Sequence, residues 1–212
     1  MACYQQTQAK SSKNNNGGCG KLVPTGSGNQ SLSGIMSEWK KQNRPGFHEY
    51  LDGYRSPTFP DILKAASHGE WPPNSEKAGK RHPHQWRISD KAMKQWAAKL
   101  GKAQAKIRSF QGRAFEELFD FFDEQARTVS GIGPLMVYDT ALRIGANIGC
   151  FPKDWVYLHA HARIPGVRSD VPRIRKTELP EPFNELEVWE AYEIEDFLCV
   201  CQKQIKELKS RS

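Results

Sequence analysis

Three groups of residues have types and spacings suited to chemistry. The first is Val129-Ser130-Gly131-Ile132-Gly133-Pro134. Two glycines bracket one apolar residue, and a proline follows. Glycine reaches the positive φ that a tight turn requires and lets another backbone come close. Proline suits the first helical position, where a missing N–H costs nothing. The main-chain N–H groups of such a turn, and of the helix it opens, point outward together and make an anion site. The second group is two histidine pairs, His82-Pro83-His84 and His159-Ala160-His161. Four imidazoles meeting at one zinc would fill its coordination shell. Neither pair, however, has an adjacent carboxylate pattern, and there is no His-Glu-x-x-His. In a basic segment histidine, tryptophan and arginine are expected to pack or touch phosphate, so no metal and no cofactor is expected. The third group is Cys3, Cys19, Cys150, Cys199 and Cys201. Their number is odd and their spacings fit neither a disulfide framework nor a zinc knuckle, so reduced thiols are expected. There is no P-loop, no Gly-x-Ser-x-Gly, no dinucleotide fingerprint and no pair of metal carboxylates at a diagnostic spacing. No catalytic residue is assigned.

Charge points to the kind of partner. The 212 residues carry a net +7, with an isoelectric point near 9.2 and a mean hydropathy of −0.70. The excess is uneven. Residues 1–37 hold three lysines and no acid, residues 38–113 sixteen Lys and Arg against seven acids, and residues 114–212 twelve against seventeen. A basic first half fits a polyanionic partner. Within it, Lys91, Lys94, Lys99, Lys102 and Lys106 line one side of a helical pattern, with Lys94 and Lys102 as candidate phosphate contacts. A second cluster, Arg163, Arg168, Arg173, Arg175 and Lys176, supplies Arg163 and Arg168 as further candidates. A solvated lysine face and a flexible basic loop are the plainer readings of the two.

At Val129 to Gly133 the chain resembles the helix-hairpin-helix modules of DNA-binding and DNA-repair proteins, whose hairpin reads apolar-x-Gly-apolar-Gly. The likeness covers about 35 residues, Phe115 to Gly149. It implies that the amides of Gly131 and Gly133 hold a DNA backbone phosphate, that Ile132 plugs the space between the two helices, and that Leu135 lies beside the phosphate. An ordinary tight turn between helices is the structural alternative. In the base-excision glycosylases of this superfamily the catalytic Asp follows in a segment like Val-Asp-Thr-His-Val-x-Arg. The nearest counterpart here is Tyr157-Leu158-His159-Ala160-His161-Ala162-Arg163, which sets His159 where that Asp belongs. The lyase lysine of some members falls on Leu135. Imidazole cannot replace the carboxylate's negative charge, and leucine cannot act as an amine nucleophile. The reading is therefore a non-catalytic, sequence-independent binder of duplex DNA. A helical module that meets a protein partner through its C-terminal helix, and a degenerate glycosylase-like protein, are the alternatives.

These residues must be positioned by helices. The expected class is mainly α, a helical domain over residues 35–212 built around the hairpin, behind a disordered low-complexity tail over 1–34. Short helices are expected over Ile35–Gln42 and Asp61–Ser67, and Phe47–Tyr54 shows aromatics without a clear period. Ser89 caps a helix from Asp90 that buries Met93, Trp96 and Leu100 and that Gly101 divides. Phe115, Leu118, Phe119, Phe122, Ala126 and Val129 give the strongest amphipathic pattern in the chain, with Glu116, Glu117, Asp120, Asp123 and Glu124 opposite. The next helix runs from Pro134 to Ile148. Its Ala141, Gly145 and Gly149 form a smooth series for close helix approach. Trp155–Leu158 is short and extended or helical. Residues 185–208 read as a terminal helix in two parts, with Glu187, Glu190, Glu193, Glu195 and Asp196 as an acidic face. No apolar run approaches the roughly 20 residues that cross a bilayer, and no signal-peptide segment is seen. An intracellular protein, cytoplasmic or nucleoid-associated, is expected.

Overall fold

The computed structural model describes residues 31–209, and most of the tail expected to be disordered lies outside them. The described residues are mainly helical: α1 (Leu32–Gln42), α2 (Arg44–Arg55), α3 (Phe59–Ser67), α4 (Asp90–Lys102), α5 (Gln104–Arg108), α6 (Phe115–Ala126), α7 (Pro134–Ile148), α8 (Ala191–Val200) and α9 (Gln202–Lys209). Strands β1 (Trp155–Tyr157) and β2 (Arg173–Arg175) pair antiparallel, with Val156 opposite Ile174. Among the described residues no helix is long and apolar enough to cross a membrane.

Helix α7 is the hub. Every residue from Met136 to Ala146 is buried, and α6, α2, α3 and a 3-10 turn at Pro83–Gln85 pack around it. Pro134 opens it, and Gly149 closes it in the left-handed conformation at φ 70°. Such a cap is open to glycine without the Cβ penalty. Gly145 has a different role. A Cβ there would lie 2.1 Å from the Cys150 carbonyl oxygen, whose residue donates its own N–H back to the Gly145 carbonyl at 2.8 Å. The Ala141-Gly145-Gly149 series thus admits the returning chain itself, not a partner helix.

The apolar side chains form two adjoining clusters. The first gathers α2 to α7, with Trp96, Phe115, Leu118 and Phe122 at its centre. The second gathers α1, α8 and α9 with Val156, Leu158, Ala162 and Ile164. Phe47 packs against both.

Local signals explain most boundaries. Ser31 accepts the Gly34 N–H at 3.2 Å, and Leu32, Ile35, Met36 and Trp39 then bury one face. The helical domain therefore starts three residues earlier than the sequence pattern places it. In α2 the buried or half-buried Phe47, Tyr50, Leu51 and Tyr54 do follow helical spacing. Pro45 in its first turn and Gly46 and Gly53 obscure the pattern. Gly53 is needed where Pro72 crosses, since a Cβ would meet it at 2.7 Å. The break after α4 falls at Ala103, whose N–H turns back to Leu100, and not at Gly101. Arg173 and Arg175 form a strand over the Trp155 ring rather than a loose loop. The acidic face expected on the C-terminal helix is also corrected. Glu193 and Glu195 are buried, and α8 is enclosed along most of its length.

Two glycines test this account. Gly101 lies inside α4 with nothing within 4 Å of an added Cβ. Gly101→Ala is expected to stabilise by about 0.5–1 kcal/mol through helix propensity. Gly145→Ala is expected to destabilise by about 1–3 kcal/mol, because a backbone carbonyl must move. Urea unfolding midpoints of the two variants read both signs.

Candidate functional site

Residues 127–133 join α6 to α7 in a turn held by two main-chain bonds. Val129 N–H donates to Ala126 at 2.8 Å, and Ile132 N–H to Val129 at 3.3 Å. Val129 is buried and Ile132 half-buried on the first cluster. Gly131 sits at φ 92°, and a Cβ there would come 3.3 Å from the Ala92 Cβ on α4. Only glycine reaches that conformation without strain. Gly133 differs. It is the N-cap of α7 in extended backbone, φ −103° and ψ 175°, and a Cβ there would meet nothing within 4 Å.

The amides of Gly131 and Gly133 donate to no acceptor among the described residues. Leu135 adds an N–H in the first turn of α7, where no intrahelical acceptor exists. Gly131 and Gly133 border a shallow cavity of about 260 Å³ lined also by Asp123, Arg127 and Ser130. The fifteen-residue helix behind it adds the positive end of its dipole. Lys99 reaches in from α4 and donates to Thr128 Oγ1. Arg127 is exposed and paired with Asp123 at 3.2 Å. An exposed pair of this kind is worth little, and the Asp123 carboxylate lines the same cavity as the Arg127 guanidinium.

The structure divides the other candidates. Lys94 and Lys102 are exposed on α4 and form no ion pair among the described residues. Arg163 donates to the Val171 carbonyl at 3.2 Å, and Arg168 holds Asp170 through two nitrogens at 3.0 and 2.5 Å. Both belong to the loop on the second cluster, away from the residues that line the hairpin cavity. Arg173 is bound to Asp120 of α6 at 3.3 Å. The four histidines do not meet. His82 and His84 gather with Asp139, His159 gathers with Glu195 and Cys199, and His161 is exposed.

Behind the hairpin lies a polar centre that pattern reading missed. Asp139, Arg143 and Asn147 recur every four residues along α7, on a helix otherwise apolar. Asp139 Oδ2 receives Gln85 Nε2 at 2.5 Å and Arg143 Nη2 at 3.4 Å, and His84 Nδ1 lies 3.2 Å away. Arg143 Nη2 also donates to Gln85 Oε1 at 3.2 Å, and its Nε to the Tyr50 hydroxyl at 2.6 Å. Asn147 Nδ2 lies 3.0 Å from the Tyr54 carbonyl and 3.2 Å from that of Pro57. The stripe thus ties α2 and the Pro83–Gln85 turn to α7. The signal available in the sequence was Asp-x3-Arg-x3-Asn, whose members share one helical face.

Electrostatics make this centre structural. Burial opposes ionisation of Asp139, yet Arg143 and the His84 contact outweigh it and hold the carboxyl well below the usual range. A general base works best near the ambient pH, and Asp139 is far from it. Burial, reinforced by Arg143, pushes the His82 imidazole down to about 2. His82 packs as a neutral group at a tilt against both the Trp71 and Tyr50 rings. By contrast Trp86, the next aromatic along, is 61% exposed, with its Nε1 donating to the Arg81 carbonyl.

No protein family, curated protein or solved structure matches the chain.

The polar centre fixes a pH dependence. An ordinary histidine takes up a proton near pH 6.5, whereas folded His82 resists it until about pH 2. Between those values the unfolded chain holds more protons, so stability falls as pH falls. Asp139 acts in the same sense, its contribution being present above the ordinary carboxylate range and lost below it. His82→Phe is expected to flatten the decline between roughly pH 6 and 4. Asp139→Asn leaves the Arg143 guanidinium without its counter-charge, and is expected to cost about 3–5 kcal/mol at pH 7. Denaturant titrations across pH measure both.

Proposed function

We propose that the chain is a non-catalytic, sequence-independent DNA-binding protein that holds backbone phosphates with the 127–133 hairpin, in the manner of the helix-hairpin-helix modules it resembles. The observation that carries this reading is the pair of undonated amides at Gly131 and Gly133, two residues that line one shallow cavity where the turn enters α7. Backbone amides at a helix start bind phosphate oxygens without reading base edges. Lys99 and Arg127 beside the turn, and Lys94 and Lys102 farther along α4, supply the counter-charge that phosphates need.

Base excision is not part of the proposal. Leu135 stands where a lyase lysine would be, and His159, at the position of the family's carboxylate, is buried against Glu195. A protein-partner surface on the C-terminal helix has less support, since α8 is enclosed.

Gly133 gives a clean test. Its backbone is open to any residue and its Cβ direction is clear. Both Ser and Asp are good N-caps, so Gly133→Ser and Gly133→Asp are each expected to fold as the wild type does. Only the second places a negative charge in the phosphate site. Fluorescence anisotropy with a labelled duplex is expected to show binding at roughly 50 mM salt that collapses by roughly 200 mM. Gly133→Asp is expected to weaken it by about tenfold or more, some 1.4 kcal/mol, while Gly133→Ser stays close to wild type. Equal affinity for all three proteins would remove the hairpin from the interface. No binding by the wild type at low salt would remove the nucleic-acid reading.

A further inference from the structure

A second cluster of ligand-type side chains lies between β1 and α8, against Tyr138 of the α7 hub. Glu195 and Cys199 are one helical turn apart on α8, and His159 follows β1. The imidazole, carboxylate and thiol each place one ligand atom within 4.8 Å of the others, and all three residues are buried. We propose that His159, Glu195 and Cys199 bind a divalent transition-metal ion of the zinc class.

The donor set fits that ion. Zinc takes nitrogen, sulfur and oxygen ligands in tetrahedral sites, and three protein ligands leave one position for water. A thiolate among them disfavours magnesium and calcium, which require oxygen. Tyr138 bears on the fourth position. Its hydroxyl is buried with no hydrogen-bond partner among the described residues, and its ring lies against that of His159, 6.3 Å between centroids. A metal-bound water would give this hydroxyl the partner that buried polar groups require.

Charge distinguishes this cluster from its neighbours. Three acids on the hub and on α8 are buried. Asp139 has the Arg143 guanidinium, and Glu193 has Arg44 at 2.7 Å. Glu195 forms its ion pair with His159, at 2.5 Å, and with no Lys or Arg among the described residues. A buried carboxylate is retained at low cost when it is paired or coordinates a metal. The rival trio, His82, His84 and Asp139, satisfies the same distance criterion. There the Arg143 guanidinium already neutralises the carboxylate, and it would repel a second cation.

Binding has a definite proton balance. The His161 N–H donates to His159 Nδ1 at 3.3 Å, which puts the imidazole proton on Nε2, facing Glu195 Oε1. The ion takes Nε2 and that proton moves to Nδ1, giving up the long His161 contact. The Cys199 thiol loses its proton to solvent as the metal–sulfur bond forms. Affinity for the ion therefore rises with pH.

The test uses full-length, tag-free protein loaded with zinc or cobalt and passed through a desalting column. Metal analysis is expected to find about one zinc per chain, as a single site of three protein ligands and one water requires. The cobalt-loaded protein is expected to show a near-ultraviolet thiolate-to-cobalt charge-transfer band and the visible absorption of a tetrahedral site. Cys199→Ser is expected to lose the charge-transfer band. Cys201→Ser, a buried cysteine outside the cluster, is expected to keep it, and so is His84→Gln. Metal-free wild-type protein after loading would overturn the proposal. So would a band that persists in Cys199→Ser or disappears in His84→Gln. If the Cys199 variant fails to fold, the wild-type cobalt spectrum still decides, because absence of a thiolate band excludes the site.

Discussion

The buried ion pair between Asp139 and Arg143 is the contact on which the rest of the arrangement depends. Two charges on one helix face are withdrawn from water, which costs several kcal/mol per ion unless hydrogen bonds complete the shell. Gln85 and Tyr50 supply most of it, each from a different element, and leave only Arg143 Nη1 without a partner among the described residues. Gln85 in turn packs where Gly69 has no side chain, within 2.9 Å of the position a Cβ would take. The polar residues between α3 and α4 are thereby locked to α7 without a large apolar face of their own. That segment ends at Ser89, the cap of α4, and α4 presents Ala92 to Gly131. The ion pair thus fixes the segment that leads into α4, and the buried Met93, Trp96 and Leu100 then seat α4 beside the hairpin.

The same residues show why charge count and charge availability differ. Many arginines are paired with acids: Arg44 with Glu193, Arg81 with Asp90, Arg143 with Asp139 and Arg173 with Asp120, and, on the exposed surface, Arg113 with Glu117, Arg127 with Asp123 and Arg168 with Asp170. A planar guanidinium suits such pairing. Lys94 and Lys102 of α4 form no ion pair among the described residues, which on the proposed reading leaves them for a backbone that offers no fixed pattern. On this account non-specific electrostatic affinity comes from α4, and register comes from the rigid amides of the turn.

Much of this was legible in the sequence because it is local. The Pro134 start and Ile148 end of α7, the Ser89 cap and the Phe115-Leu118-Phe122-Ala126 stripe are each carried by neighbours within a few positions. What escaped is long-range. The partner of Arg44 is 149 residues away, that of Tyr50 is 93, and that of His159 is 36. Spacing rules carry no information over such separations. Hence Glu193 and Glu195 looked like a solvated acidic face, although tertiary contacts draw them inside. Gly145 looked like a docking surface for a different, local reason: a helical spacing pattern does not show that the chain turns back after Gly149 and lays the Cys150 carbonyl on Gly145. The amphipathic pattern of α2 was present at Phe47, Tyr50, Leu51 and Tyr54, but glycine and proline within the helix masked it.

The central claim is that the amides of Gly131 and Gly133 hold phosphate, and an amide can be watched directly. In ¹H–¹⁵N correlation spectra recorded while short duplex DNA is added at low salt, the Gly131, Gly133 and Leu135 signals are expected to move furthest, and to move downfield as their N–H groups become hydrogen-bonded. Signals along the exposed side of α4 are expected to follow by smaller amounts. Shifts confined to other parts of the chain, with the three hairpin amides unmoved at saturation, would contradict the account.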